Sequence, residues 1–217
     1  MVKFSDPIHA KFMPYVNNQY SEYIGCKIFE LLKVPVQNVE LVKCKVNGKE
    51  KVAVMCEDFL KPGEKLREFK NVFLSLNMEK NTLLGNVDRH LGNWGLIKSK
   101  GPYRLNPVYD CGSCLHPLIG EDYMKELLKT KELKRVAVNL ETAYKKENKT
   151  LHYLDIYLNM PPLLGKSLKD IHPLINMNKI KKIIYGLDIS LPMKKFYYRT
   201  ILIRKEEIID RYYNMLN

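Results

Sequence analysis

Asn86-Val87-Asp88-Arg89-His90-Leu91-Gly92-Asn93, followed seventeen residues later by Asp110 in Val108-Tyr109-Asp110-Cys111-Gly112, is the stretch on which the reading of this 217-residue chain turns. Gly85-Asn86 breaks any helix before it, the run to Asn93 has no apolar periodicity, and Gly92 permits a tight backbone path. The segment therefore reads as a loop. Trp94 to Lys98 and Tyr103 to Tyr109 read as two short strands joined by the turn Ser99-Lys100-Gly101-Pro102. Such a hairpin folds back on itself and brings Asp110, at its far end, beside Asn93 at its start.

A carboxylate, an amide and a second carboxylate in this order suit ATP-dependent phosphoryl transfer, which needs groups that orient a hydroxyl and neutralise phosphate charge through Mg²⁺. Asp88 is the candidate base or hydroxyl-orienting group. Asn93 and Asp110 are oxygen ligands of the kind a hard cation takes. Either aspartate alone reads equally as a turn residue satisfied by nearby amides; the order, the spacing and the hairpin between them favour a site.

Asn86-x-Asp88-x-His90-x-x-Asn93 resembles the catalytic loop of HipA-type serine/threonine kinases, and Tyr109-Asp110-Cys111-Gly112-Ser113-Cys114-Leu115 resembles the metal-binding segment that follows it there. The Asp-Arg-His-x-x-Asn core is shared with phosphoinositide-kinase-like enzymes, so a lipid hydroxyl is the alternative acceptor to a protein one. The resemblance implies an α+β, protein-kinase-like two-lobe fold. Residues 1–60 would be an incomplete small lobe with lysine strand, helix, hairpin and hinge, and 61–217 a mostly helical large lobe. It also implies ATP and Mg²⁺ as cofactors, a protein substrate and the toxin–antitoxin setting of that family.

By the same resemblance Lys3 is the ATP-binding lysine. Glu22, on a helix that follows Asn17-Asn18, is its partner in preference to Glu30. That helix shows apolar residues at Tyr20, Tyr23, Ile24, Ile28, Leu31 and Leu32, the spacing of a buried face. Val39 to Val46 and Lys51 to Glu57 flank Asn47-Gly48, a strong hairpin signal. Cys56-Glu57-Asp58-Phe59 then resembles the hinge, whose backbone from Glu57 through Phe59 would hold adenine; Phe59 reads equally as core. His90 is expected to pack and hydrogen-bond beside the catalytic loop rather than act as a base.

Two departures accompany the resemblance. A Gly-rich phosphate loop and its strands belong before Lys3, where only Met1 and Val2 stand. The expectation is an open sheet edge beside residues 1–5, with a separate polypeptide completing the small lobe, or else a truncated copy. Only 26 residues separate Phe59 from Asn86, enough for one helix from Glu64 to Lys80 with Leu66, Phe69, Val72 and Phe73 on its apolar face.

The remainder reads as a helical scaffold: Glu121 to Leu133, Leu140 to Glu147, Asn178 to Leu187, and a long amphipathic pattern from Met193 to Leu216 with Arg204, Lys205, Glu206 and Glu207 on its wet side, and with breaks at Pro161-Pro162 and Pro173. His9, His152 and His172 stand alone and read as structural. An apolar content of 46% suffices for a core, and no run is long enough to span a membrane. Five cysteines form no disulfide framework at this length, which fits a reducing cytoplasm, and Cys111-x-x-Cys114 lacks the second pair that a structural zinc site needs. A net charge of +12 makes nucleic acid a possible partner, but the lysines are spread along the chain rather than gathered into a stripe, so that reading is not favoured.

Overall fold

The computed structural model describes residues 1–4, 16–68 and 78–216. It divides into two compact units, Met1–Val72 with His90–Leu118, and Phe73–Arg89 with Ile119–Asn217.

In the first unit, β1 (Val2–Phe4) is followed by α1 (Asn18–Leu31), β2 (Val39–Val46), β3 (Lys49–Cys56) and β4 (Lys65–Glu68). The antiparallel sheet β1-β3-β2 has β3 at its centre, with Lys3 opposite Val54. Asn47 and Gly48 both adopt positive φ, which is the two-residue turn that matches strand twist, and pairing therefore begins at Lys49, two residues earlier than the sequence suggests. One face of this sheet is covered by α1, whose Ile24, Ile28 and Phe29 are fully buried with Ala53 and Val54. Burial of each such side chain contributes about 1.5–3 kcal/mol. The buried face of α1 also carries Gln19, Ser21 and Glu22, so it is not the purely apolar stripe that periodicity predicts.

Residues 65–68 correct the expectation of a helix from Glu64 to Lys80. They form a strand paired residue for residue with β5 (Gly95–Lys98), and β6 (Arg104–Leu105) completes a second sheet, β4-β5-β6. Ladder bonds from a partner thirty residues away override the local helical pattern, a force that a window of sequence cannot display. Phe69, Val72 and Phe73, like His9, lie outside the described residues. The expected hairpin is present, with a second strand of only two residues. Beyond it, Val108 bridges Val36, donating to Pro35 O and accepting from Gln37 N–H, both at 2.8 Å.

The second unit holds α2 (Met78–Leu84), α3 (Glu121–Leu127), α4 (Glu132–Val138), the hairpin β7 (Glu141–Lys146) and β8 (Lys149–His152), then α5 (Tyr153–Leu158), α6 (Pro162–Ile171), α7 (Met177–Tyr185) and α8 (Leu191–Arg204). A π turn, Lys205–Asp210, leads into α9 (Arg211–Met215). Two expectations are corrected here. Glu121 to Leu133 is split between α3 and α4, and Leu140 to Glu147 is a strand rather than a helix. In the latter, Thr142 and Tyr144 are buried while 141, 143 and 145 are exposed, and positive φ at Glu147 and Asn148 closes the hairpin. The long C-terminal pattern buries its apolar stripe, Phe196, Tyr197, Ile201, Ile208 and Ile209, but Arg204, expected on the wet side, is fully buried as well, its guanidinium held by a main-chain carbonyl.

This core also fixes the start of the loop on which the reading opened. Gly85 ends α2 at φ +62°, and a Cβ there would run into the Arg204 guanidinium. Arg204 is itself fully buried and donates from Nε to Ala137 O at 2.8 Å, while the Tyr153 hydroxyl donates to Asn86 O. Gly85→Ala is expected to lower unfolding stability by about 1–3 kcal/mol, because it combines a left-handed backbone with a clash against a buried cation. Urea unfolding checks this; a midpoint unchanged from the wild type would contradict it.

Candidate active site

Lys3, the middle residue of β1, extends its ammonium to two carboxylates, 3.0 Å from Glu22 Oε2 and 2.8 Å from Asp110 Oδ1. Glu22 is fully buried in the second turn of α1, and its other oxygen, Oε1, accepts the Cys111 backbone N–H at 3.0 Å. One carboxylate thus ties together the first strand, the helix and the segment after Asp110. The approach is tight: a Cβ on Gly25 would stand 2.8 Å from Cys111 Cβ.

Asp110 lies at φ +60°, a left-handed conformation that aspartate tolerates better than most residues. Its second oxygen, Oδ2, accepts from Asn93 Nδ2 at 2.9 Å. Asn93 is buried at the end of a 3₁₀ turn, Leu91–Asn93, and its Oδ1 accepts the His90 N–H at 3.0 Å. The pairing of Asn93 with Asp110 that the hairpin argument requires is therefore present. Tyr109 reinforces it by donating its hydroxyl to Gly92 O at 2.6 Å, and Phe59 packs on the Tyr109 ring at 5.4 Å between centroids.

The remaining predicted residues have more local surroundings. His90 is exposed, and its Nδ1 accepts the Gly92 N–H at 3.0 Å, the bond of a turn rather than of a base. Glu57 uses its carbonyl to accept from Gln37 Nε2 at 2.7 Å and its N–H to donate to Asn38 O at 3.0 Å, so both of its backbone groups already have partners. Asp88 belongs to the second unit and is an exposed turn residue. The Lys3–Asp110 ion pair and the Cys111 amide on Glu22 carry no signal in the sequence, since both depend on contacts across about ninety residues or more.

Electrostatics divide the roles. Burial works to lower the Lys3 ammonium, but the Glu22 and Asp110 carboxylates outweigh it and hold it above its ordinary value, so Lys3 is charged throughout the neutral range. Its contribution to stability is complete below pH 10.5 and is lost only as pH rises through the folded value. For Glu22 burial comes first and pushes the carboxyl up, only partly opposed by Lys3 and the Cys111 N–H. Glu22 is thus the member of the pair that acidification discharges, while Lys3 keeps its charge.

A strand lysine paired with a helix glutamate and with an aspartate that is joined to an asparagine is the set of groups that kinase-type phosphoryl transfer calls for. No protein-family model matches the chain. It is, however, 31% identical over 255 aligned residues to the serine/threonine-protein kinase CtkA of Helicobacter pylori, covering 97% of this chain and 77% of that protein. The crystal structure of the Helicobacter pylori proinflammatory kinase CtkA superposes with a TM-score of 0.87 at 28% identity, over 100% of this chain and 86% of the other. HipA of Shewanella oneidensis, solved in a toxin–antitoxin complex with HipB and operator DNA, shares the fold with a TM-score of 0.58 at 17% identity, over 98% and 60% of the respective chains. The chain belongs to the family of the serine/threonine-protein kinase CtkA, and with HipA it shares the fold. The alignment with CtkA is longer than this chain, so the relative has internal residues without a counterpart here. Among the described residues no helix is long and apolar enough to cross a membrane.

As pH falls, protonation of Glu22 removes one of the two charges that hold Lys3. The acid limb of kcat/KM for ATP is therefore expected above 4.5, the ordinary glutamate value, and Glu22→Gln should be weak and lack that limb. The same acid limb in wild type and variant would show that another group governs it.

Proposed function

We propose that the enzyme transfers the γ-phosphoryl group of Mg·ATP to a serine or threonine hydroxyl of a protein, with Lys3 and Glu22 serving the phosphates, Asn93 and Asp110 the metal, and Asp88 the acceptor hydroxyl. The observation that carries this reading is the four-residue chain Glu22–Lys3–Asp110–Asn93, joined by contacts of 3.0, 2.8 and 2.9 Å. One carboxylate and one carboxamide are the hard oxygen donors that Mg²⁺ takes while keeping water and phosphate oxygens in its remaining positions. When bound, Mg²⁺ supplies neutralisation of phosphate charge.

The residues of the chain do the rest. Lys3 has three donors and spends two on described carboxylates, leaving one for a phosphate oxygen. Glu22 keeps the ammonium in position. Asp88, five residues before Asn93, is free of the buried network and orients the attacking hydroxyl, accepting its proton as the O–P bond forms. The backbone of Asp58 and Phe59 serves the adenine, since the groups of Glu57 are bonded to Gln37 and Asn38. The edge of β1 away from β3 bears no strand among the described residues, and we assign the covering of the phosphates to a segment added there, from the same protein or from a partner.

Transfer of labelled phosphate from ATP to protein and to lipid vesicles tests this reading. Label is expected on protein serine or threonine, and Asp88→Ala should lower the rate by roughly 10²–10⁴-fold. Asp110→Ala should abolish metal-dependent turnover. Equal rates in the wild type and both variants would sink the residue roles, and label on lipid alone would sink the acceptor.

A further inference from the structure

Three of the five cysteines converge beneath Glu22, outside the phosphoryl-transfer roles given above. Cys26 follows Glu22 by one turn of α1, with its Sγ 3.8 Å from Glu22 Oε1. Glu22 Oε1, Cys26 Sγ and Cys111 Sγ lie within 4.8 Å of one another, and all three residues are buried. Cys114 adjoins Cys111 but lies outside that mutual spacing, so its side chain must shift to join the other three as a ligand. Its sulfur and that of Cys111 stand 3.4 and 3.5 Å from the position a Gly25 Cβ would occupy, so both lie against the same α-carbon of α1.

We infer that Cys26, Cys111 and Cys114, together with Glu22 Oε1, form a binding site for a thiophilic divalent cation of the zinc type. Zinc–sulfur and zinc–oxygen bonds of about 2.3 and 2.0–2.2 Å set tetrahedral sulfur and oxygen ligands roughly 3.6 Å apart. The observed 3.8 Å between Cys26 Sγ and Glu22 Oε1 needs only a small adjustment to reach that spacing. Oε1 accepts the Cys111 N–H and the Cys26 S–H; loss of that thiol proton on binding frees a lone pair for the cation, and Oε2 stays with Lys3, so the cation does not require the lysine to leave. The donor set of three sulfurs and one carboxylate oxygen favours zinc over Mg²⁺, which avoids thiolate.

The proton balance is explicit. A hydrogen bond to Cys111 and burial hold the Cys26 thiol well above its ordinary value. Binding exchanges three thiol protons for one divalent cation. The loaded cluster has net charge −2, that of a four-cysteine zinc site, and Lys3 offsets one of those charges. Because the cluster shares its carboxylate with Lys3, its occupancy bears on the nucleotide lysine; that consequence rests on the proposed function, whereas binding itself does not.

The test is titration of the reduced full chain with Co²⁺ in the absence of nucleotide, read by thiolate-to-metal absorption and by its bleaching with Zn²⁺. One equivalent of tetrahedral Co²⁺ is expected. Cys26→Ser and Cys111→Ser should each weaken it by about 10–100-fold or more, while Cys44→Ser, on β2, should not. Absence of the thiolate band in wild type, or a band unchanged in Cys26→Ser and Cys111→Ser, overturns the inference. X-ray absorption of the zinc-loaded wild type needs no variant: three sulfur neighbours support the site, and a shell of nitrogen and oxygen alone refutes it. None of these readouts depends on turnover, so failure here leaves the phosphoryl-transfer reading to its own test.

Discussion

A single buried carboxylate sets the geometry of the first unit. Glu22 has no exposure to solvent, and an ion in that position costs several kcal/mol unless its lone pairs are used. The Lys3 ammonium and the Cys111 amide use them, and each comes from a different part of the chain. β1 must therefore reach α1 with Lys3 in register. The segment after Asp110 must also pass close enough to donate a backbone N–H, which Gly25 permits by having no Cβ. Asp110 is delivered to the same ammonium as a result. Removing one partner of such a pair costs about 3–5 kcal/mol, more than most single contacts, because the other charge is left stranded.

The second unit solves a similar problem with the opposite charge. Arg204 is fully buried near the end of α8, and its guanidinium occupies the space that Gly85 leaves open at the end of α2. Its Nε is bonded to Ala137 O, and Tyr153 bonds Asn86 O. The turn that begins the candidate loop is thus held by a helical core as well as by its own bonds from Gly85 N–H to Thr82 O and from Asn86 N–H to Asn81 O. Immediately beyond Arg204 the π turn aims Lys205 at Asp210, which also bonds His172, itself stacked on Tyr213. His172 and His152, the latter opening α5, both have the structural surroundings that isolation in the sequence suggested.

What could be read in advance follows the range of the interactions. The Asn47-Gly48 hairpin was legible because positive φ is written into the residues themselves. The convergence of Asn93 and Asp110 was legible because a hairpin joins them in seventeen positions. Lys65–Glu68 and Glu141–Lys146 were read as helical, since charged residues between apolar ones fit a helix face as well as a strand until a partner strand is known. The cysteines show the same limit from another side. Cys111 and Cys114 display only half a metal site along the chain. Folding brings in Cys26 and Glu22, which lie about ninety residues earlier.

Lys3 stands between the two halves of the proposed chemistry, and its bond to Asp110 couples them. A phosphate group that draws on more than the third Lys3 donor competes with Asp110 Oδ1, and a cation approaching Asp110 competes with the Lys3 ammonium. Each exchange releases the partner that the other needs: a freed carboxylate is a better metal ligand, and a freed ammonium a better phosphate donor. Glu22 makes the exchange affordable, because it keeps a carboxylate on Lys3 while Asp110 changes partners. Asn93 does the same for Asp110 from the other side, through a neutral amide that adds no charge. Nucleotide and metal are therefore expected to bind as one unit rather than in sequence, a property set by one ammonium shared between a buried and a half-exposed carboxylate.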